Sequence, residues 1–320
     1  MTTRSPSPTR RAFLAGGSLF GLSACALPTE QVALREPEEE AEGGISGTGL
    51  RRDGIEGTGI VGTVLGFGSI LINGVRVQTP PQMRMIDAFG RIDLGTLKPG
   101  HTVTLQTDGA DLVGHTLAQH HPVIGRIDAV MPDGSVWILG TRVILPPDVT
   151  VIVGEHARVS GTWDGPVVRA TRLDPAQPGL ASASGTVTAS GINGVAIDGA
   201  LPEPGVFATV TGAAADGVLR QDTLSIGRFT AAGAPLNRIL AEGYLERAPE
   251  EAAGYILSGF GHSFDARARL DAAAQGLHLF RGRYDQDFAV EEAVPLPDLQ
   301  AERAALLLSD SPFGGAISTR

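Results

Sequence analysis

Gly57-Thr58-Gly59-Ile60-Val61-Gly62-Thr63-Val64, followed by Ser69-Ile70-Leu71-Ile72-Asn73-Gly74-Val75-Arg76-Val77, is the stretch that decides how this chain folds. The first run is rich in β-branched residues and reads as a strand. In the second, two short apolar runs flank Asn73-Gly74, the pair that supplies the positive φ angles of a tight hairpin. The phrase then recurs. Gly62-Thr63-Val64, Gly125-Arg126-Ile127, Gly185-Thr186-Val187 and Gly243-Tyr244-Leu245 open successive segments at spacings of 63, 60 and 58 residues. Each opening is followed by a second strand after a turn, at Ser135 to Val143, Gly191 to Ile197 and Tyr255 to Phe260. A third strand ends in glycine in three of the four segments, at Gly161, Gly212 and Gly282, and a final strand closes each segment.

Apolar and polar residues alternate along these strands, which predicts one buried face for each. Four or five such strands in about 60 residues predict a small barrel, because closure removes exposed edges. The expected organisation is all-β: a tandem array of about four small β-barrel modules, at 57–122, 123–176, 183–230 and, more divergent, 240–296. Within the last, Phe264 to Gln275 reads as helical or looped. A C-terminal segment, 297–320, carries a short helix from Asp298 to Leu308, capped by Asp298 and expected to cover a barrel edge.

Ahead of the array lie two overlapping export signals. Arg10-Arg11-Ala12-Phe13-Leu14 sets paired arginines before an apolar run ending at Ala26, the layout of a twin-arginine signal. Leu22-Ser23-Ala24-Cys25 has the small-residue form cut by the bacterial lipoprotein peptidase, and Cys25 is the only cysteine. The run of about fourteen apolar and small residues is shorter than the roughly 20 needed to span a bilayer. The expectation is a signal peptide over 1–24, lipid attachment at Cys25 and residence on the periplasmic side of a bacterial membrane; the alternative is a cleaved, soluble periplasmic protein. Residues 25–56 form an acidic flexible linker, with Glu36-Pro37-Glu38-Glu39-Glu40-Ala41-Glu42 extended by its own repulsion.

The glycine-threonine run, Gly66-Phe67-Gly68-Ser69-Ile70 and Ile72-Asn73-Gly74-Val75 resemble the opening of the bacterial family named domain of unknown function 5666. The resemblance covers Gly57 to about Asp174. It implies an exported, often lipid-anchored protein of tandem OB-like modules. It brings no catalytic residues, since the family's activity is itself unassigned.

Composition narrows the function further. A formal net charge of −10 leaves no basic footprint for nucleic acid. With one thiol, taken up by the anchor, the mature fold has no intramolecular disulfide. His115, His120 and His121 are the only histidine cluster; a metal would need convergent ligands, with nearby Asp111 at best completing a weak site, and these histidines read instead as solvated turn residues. Glu155-His156 follows Gly154 at a hairpin, and Asp265, Asp271 and His278 lie in the divergent segment, but no spacing forces an acid/base pair together. Trp137 and Trp163 are a stacking platform for a sugar or, more simply, core residues. Gly47-Thr48-Gly49 and Gly57-Thr58-Gly59 lack the lysine and the strand-to-helix context of a phosphate loop. No nucleophile elbow, metal or cofactor motif emerges. The expected protein is a membrane-anchored binder or scaffold for an unknown envelope protein or ligand and not an enzyme; the alternative is an extracytoplasmic hydrolase or metal-dependent enzyme with its site between modules.

Overall fold

The computed structural model describes residues 57–108, 112–147, 149–229, 235–247, 255–261, 264–265, 276–285, 287–297 and 302–303, with backbone alone at 247, 264 and 265. They belong to one compact unit, Gly44–Arg320. The export signals, Arg10, Arg11, Cys25, the acidic linker and Gly47-Thr48-Gly49 lie outside the described residues, as do Asp111 and Asp271. Of the C-terminal stretch read as a helix, Glu302 and Arg303 are described, in helical conformation. No described helix is long and apolar enough to cross a membrane.

The described fold is nearly all β. β8 (Val123–Val130), β9 (Val136–Ile138), β10 (Thr141–Ile144), β11 (His156–Asp164) and β12 (Val167–Pro175) close a five-strand barrel in the order 8-9-10-12-11-8. The β10–β12 pairing is parallel and the others are antiparallel. A closed small barrel is what the repeat predicts, and its strand order is OB-like. The same order recurs in β13 (Ala181–Thr188), β14 (Gly191–Ile192), β15 (Val195–Asp198), β16 (Phe207–Ala215) and β17 (Val218–Ile226).

It recurs again around β1 (Thr58–Gly66), β2 (Ile70–Ile72), β3 (Val75–Val77), β4 (Arg84–Asp87), β5 (Gly90–Arg91), β6 (Thr102–Asp108) and β7 (Val113–His120). Here the parallel link runs through β4–β7 and a bridge from Gln78 to Val113. β18 (Arg238–Arg247), β19 (Tyr255–Leu257), β20 (Phe264–Asp265), β21 (Gly276–Asp285) and β22 (Asp287–Pro295) keep the other pairings, with no β19–β20 ladder among the described residues.

The 60-residue period has a steric cause. In β1 a Cβ on Gly62 would lie 2.2 Å from Asn73 Oδ1, and in β13 a Cβ on Gly185 would lie 2.4 Å from Asn193 Oδ1. Leu257 stands over Gly243 and Leu139 over Gly125 in the same way, at 2.4 and 3.0 Å. Each first strand therefore carries a glycine so that the following hairpin can fold flat onto it. Asn73 is wholly buried, its Nδ2 donating to Val61 O at 2.8 Å; Asn193 Oδ1 accepts from Thr186 N at 2.7 Å. The glycines read from the sequence as ending a third strand lie inside the fourth, in β11, β16 and β21, and do a second job. Ladder registers shift at Gly161, Gly212 and Gly282, and a Cβ on Gly212 would fall 1.8 Å from Arg220 O. These are β-bulges that bend the strand round the barrel.

Replacing Gly62 by valine is expected to lower stability by about 1–3 kcal/mol, the usual penalty of overpacking a filled site. Gly66→Ala, where nothing lies within 4 Å, should change it by less than about 0.5 kcal/mol. Urea unfolding of the two variants beside the wild type checks both, and equal midpoints would refute the steric account.

The repeats pair in nested order. β1 runs parallel to β18, joining the first and last segments in a 12-stranded sheet, while β8 pairs antiparallel with β13 in a 10-stranded one. The apolar cores follow the same division. Leu240, Tyr244, Leu277 and Leu279 pack with the core of the first segment, and the second and third segments share one core around Trp163. The expectation of one buried face per strand fails for the joining strands: β1 is buried on both faces for its first seven residues, and β6 for its first six. A neighbouring barrel covers the face that an isolated barrel would leave to solvent. Threonine and glutamine on β6 are buried as a result.

Candidate functional site

The two sheets meet along β6, β11 and β18, and this seam holds the polar groups that a lone barrel would expose. Thr102 Oγ1 donates to Gly161 O at 3.2 Å and Thr171 Oγ1 to Gly100 O at 2.6 Å. Beside these links a cleft of about 320 Å³ opens between the first and second segments, lined by Asp87, Lys98, Gln119, Arg158 and Asp174 together with His101 and His121. That is the size of a small-ligand site.

The local chain explains the placement. A 3-10 turn at Leu94–Thr96 and the turn through Gly100, at φ 91°, deliver His101 to the start of β6. Gly100 N donates to Val64 O at 2.8 Å, which pins that turn to β1. His121 stands in the two-residue connection from β7 to β8. Arg158 and Asp174 face the cleft from β11 and β12.

Hydrogen bonding assigns the imidazole protons. Lys98 N donates to His101 Nδ1 at 3.1 Å, so the proton of His101 is on Nε2, 2.9 Å from Asp174 Oδ2. Both nitrogens are therefore used, and His101 is a strut with no lone pair to offer a substrate. His121 donates from Nδ1 to Val159 O at 3.3 Å; its Nε2 lone pair has no partner among the described residues and is buried. Burial, reinforced by the charge of Arg158 and by His101, brings its pKa down to about 4.

Asp174 is tied by Arg172 through two bonds of 2.7 Å, with Lys98 Nζ at 3.8 Å. Burial opposes its ionisation, but the hydrogen bonds of His101 and Arg172 and the Arg172 charge outweigh that and hold the carboxyl well below the usual range. Arg158 pairs with Asp87 at 3.1 Å and stands 5.5 Å from the Phe89 ring centroid. The lining carries Lys98 and Arg158 against Asp87 and Asp174, with Arg172 paired to Asp174 beside it.

The adjacent histidines look opposite ways, as alternation along a strand requires. His120, the last residue of β7, faces a second, smaller cavity and meets the Phe207 ring edge-on, with centroids 5.1 Å apart. Against the reading as solvated turn residues, His121 is buried and His120 half-buried with its Nε2 shut off from solvent. The correction has a simple cause: the turn they occupy is the connection between two barrels, and the barrels close over it.

Of the other residues singled out in the sequence, His115 is half-buried with Nδ1 2.9 Å from Thr116 Oγ1, away from the cleft. His156 Nε2 accepts from Gly179 N at 3.4 Å, and Glu155 O accepts from Ile127 N, so both brace a loop. His278 stacks on Phe280 at 5.7 Å. Asp265 lies on β20, described by its backbone alone. Trp163 is a core residue whose Nε1 donates to Ser184 O at 2.8 Å. Trp137 departs from the core reading: it is 36% exposed on β9, cross-strand from Arg142. Gly57-Thr58-Gly59 leads into β1.

His101, Asp174, Arg158, Lys98 and Asp87 went unread as a set because they converge from positions far apart in the chain. The available signal was positional: each stands beside a strand end or a turn near a module junction. Among the described residues no three histidines, cysteines or carboxylates gather as a metal site would require. No family model, no curated protein and no solved structure matches this chain.

Proposed function

We propose that this chain is a lipid-anchored cell-envelope protein that uses its fused β modules to bind a ligand or hold a partner on the periplasmic side of a bacterial membrane, and that it is not an enzyme. The export reading rests on Arg10, Arg11 and Cys25, and the resemblance to the domain of unknown function 5666 family agrees with it. The observation that carries the binding reading is the cleft between the first and second segments, whose carboxylates are all held in ion pairs. Arg158 pairs with Asp87, and Arg172 and Lys98 with Asp174, so no carboxylate is left unmatched and the cleft suits an uncharged or zwitterionic polar group. It is poorly equipped for proton transfer: His101 is saturated by Lys98 N and Asp174, and His121, with a pKa of about 4, is a weak base at neutral pH.

A photo-crosslinking residue in place of Lys98, at the cleft, is expected to trap a discrete envelope species in cells. The same residue at Val218, an exposed position elsewhere, should not trap it. Fatty-acid labelling and membrane fractionation of the wild type and Cys25→Ala test the anchor, which should vanish with the cysteine. Identical adduct patterns from both positions would remove the cleft from the reading, and a Cys25-independent membrane fraction would remove the lipid.

A further inference from the structure

Where the two sheets meet, chain from all four repeated segments lines a small, partly open cavity of about 40 Å³. That is room for one monatomic ion or up to about three waters, and too little for an organic ligand. Its polar lining includes Thr102, His120, Ser184, Arg228, Glu242 and Ser258.

The charges do not cancel. Glu242 accepts from Thr63 N and Thr63 Oγ1 at 3.2 and 2.7 Å and pairs with Arg303 Nη1 at 2.6 Å, so one carboxylate is matched by one guanidinium. Arg228 is a second guanidinium, 8% exposed, and forms no ion pair with a described acid. Its Nε donates to Phe260 O at 3.1 Å, Nη2 to Gly259 O at 2.6 Å and Nη1 to Thr104 Oγ1 at 3.3 Å. Three of its five N–H groups are thereby used and two remain. Its carbon lies 4.0 Å from the Phe207 ring centroid, an attraction that offsets part of the burial but supplies no countercharge. Burial alone presses its pKa down to about 9, which leaves it charged at neutral pH.

Two serine hydroxyls of the lining also have protons to give, while Thr102 Oγ1 already gives its own to Gly161 O. Ser258 Oγ accepts from Gly165 N at 3.0 Å and Ser184 Oγ from Thr209 Oγ1 at 3.0 Å, which leaves each hydroxyl its own hydrogen. His120 Nε2 is buried with no partner among the described residues. A protein interior that concentrates donors around an unmatched cation is electrostatically completed by an anion, since an isolated buried charge is costly.

We infer that this junction binds one small anion, chloride or a halide of similar size, between Arg228 and His120 with the hydroxyls of Ser184 and Ser258. Such an ion also explains how the sheets stay fused, because it touches groups from both.

The test is thermal and urea unfolding of the full chain in sodium chloride, sodium bromide and sodium gluconate at one ionic strength. Gluconate is too large for the cavity. Above its dissociation constant, a single native-state site shifts the unfolding equilibrium about tenfold per tenfold rise in chloride. That dependence is expected with chloride and bromide, absent with gluconate, and lost in Arg228→Met. Should R228M fail to fold, anomalous scattering from a bromide-soaked wild-type crystal locates the ion directly. Equal stability in chloride and gluconate, or bromide found only at surface arginines, would overturn the inference.

Discussion

The urea midpoint of this protein is expected to fall steeply as the pH is lowered from about 6.5 to about 4. His121 is buried and neutral, with its pKa brought down from 6.5 to about 4 by burial, Arg158 and His101, and only partly restored by Val159 O and Asp87. His120 is held well below 6.5 by burial, then by Arg228 and by His121. In the unfolded chain both take up a proton near pH 6.5, while in the folded chain neither does until the pH is far lower. The unfolded state therefore binds more protons throughout that window, and stability drops with falling pH. At about 1.4 kcal/mol per pKa unit, His121 alone removes roughly 3 kcal/mol by pH 4, and His120 adds to it. Asp174 acts lower down: its depressed carboxyl contributes stability that is present above about pH 4 and lost below it. Urea titrations at pH 7.5, 6, 5 and 4.5 measure the slope. In the double variant H120Q/H121Q the slope over this range should largely disappear, and a wild-type midpoint that stays flat from pH 7.5 to 4.5 would sink the account.

Breaking the buried Glu242–Arg303 pair comes second in expected size. Their side chains are 1% and 4% exposed, and Glu242 joins β18 to β1 through Thr63. Arg303→Met leaves the carboxylate in the interior with only the Thr63 donors, a loss of about 3–5 kcal/mol. E242L/R303M removes both charges and should recover most of that loss, because the penalty belongs to the unmatched charge more than to the missing contact. Denaturant midpoints of the two single variants and the double variant close the cycle. A single variant as stable as the wild type would show that the pair is not buried in solution.

Much of the fold was legible because the features that specify an OB-like barrel are local. A glycine in the first strand, a turn residue that folds over it and a glycine bulge in the fourth strand lie within one segment, so the period shows in the letters Gly62, Gly125, Gly185 and Gly243. The divergent last segment was legible for the same reason: Gly243 and Gly282 survive there although the hairpin between them has changed.

The site was not legible, and His120 and His121 show why. Their neighbours in sequence, Gln119 and Pro122, say turn; their neighbours in space are Phe207, Arg228, His101 and Val159, which arrive from four other stretches of chain. Asp174 and Arg228 gave no sign either, since an isolated aspartate or arginine after a strand is ordinary surface chemistry until another barrel lands on it.

From sequence alone, then, came the repeat, the strand order within each segment and the all-β class, because short-range sterics and side-chain alternation set them. Only the tertiary structure decided that the first segment pairs with the last and the second with the third, that β1 and β6 are buried on both faces, and that charged groups meet in a cleft and a cavity at the seam. The physical reason is that strand pairing within a module is written in contacts a few residues apart. Packing between modules depends instead on the shape and charge of whole surfaces that exist only once the barrels have closed.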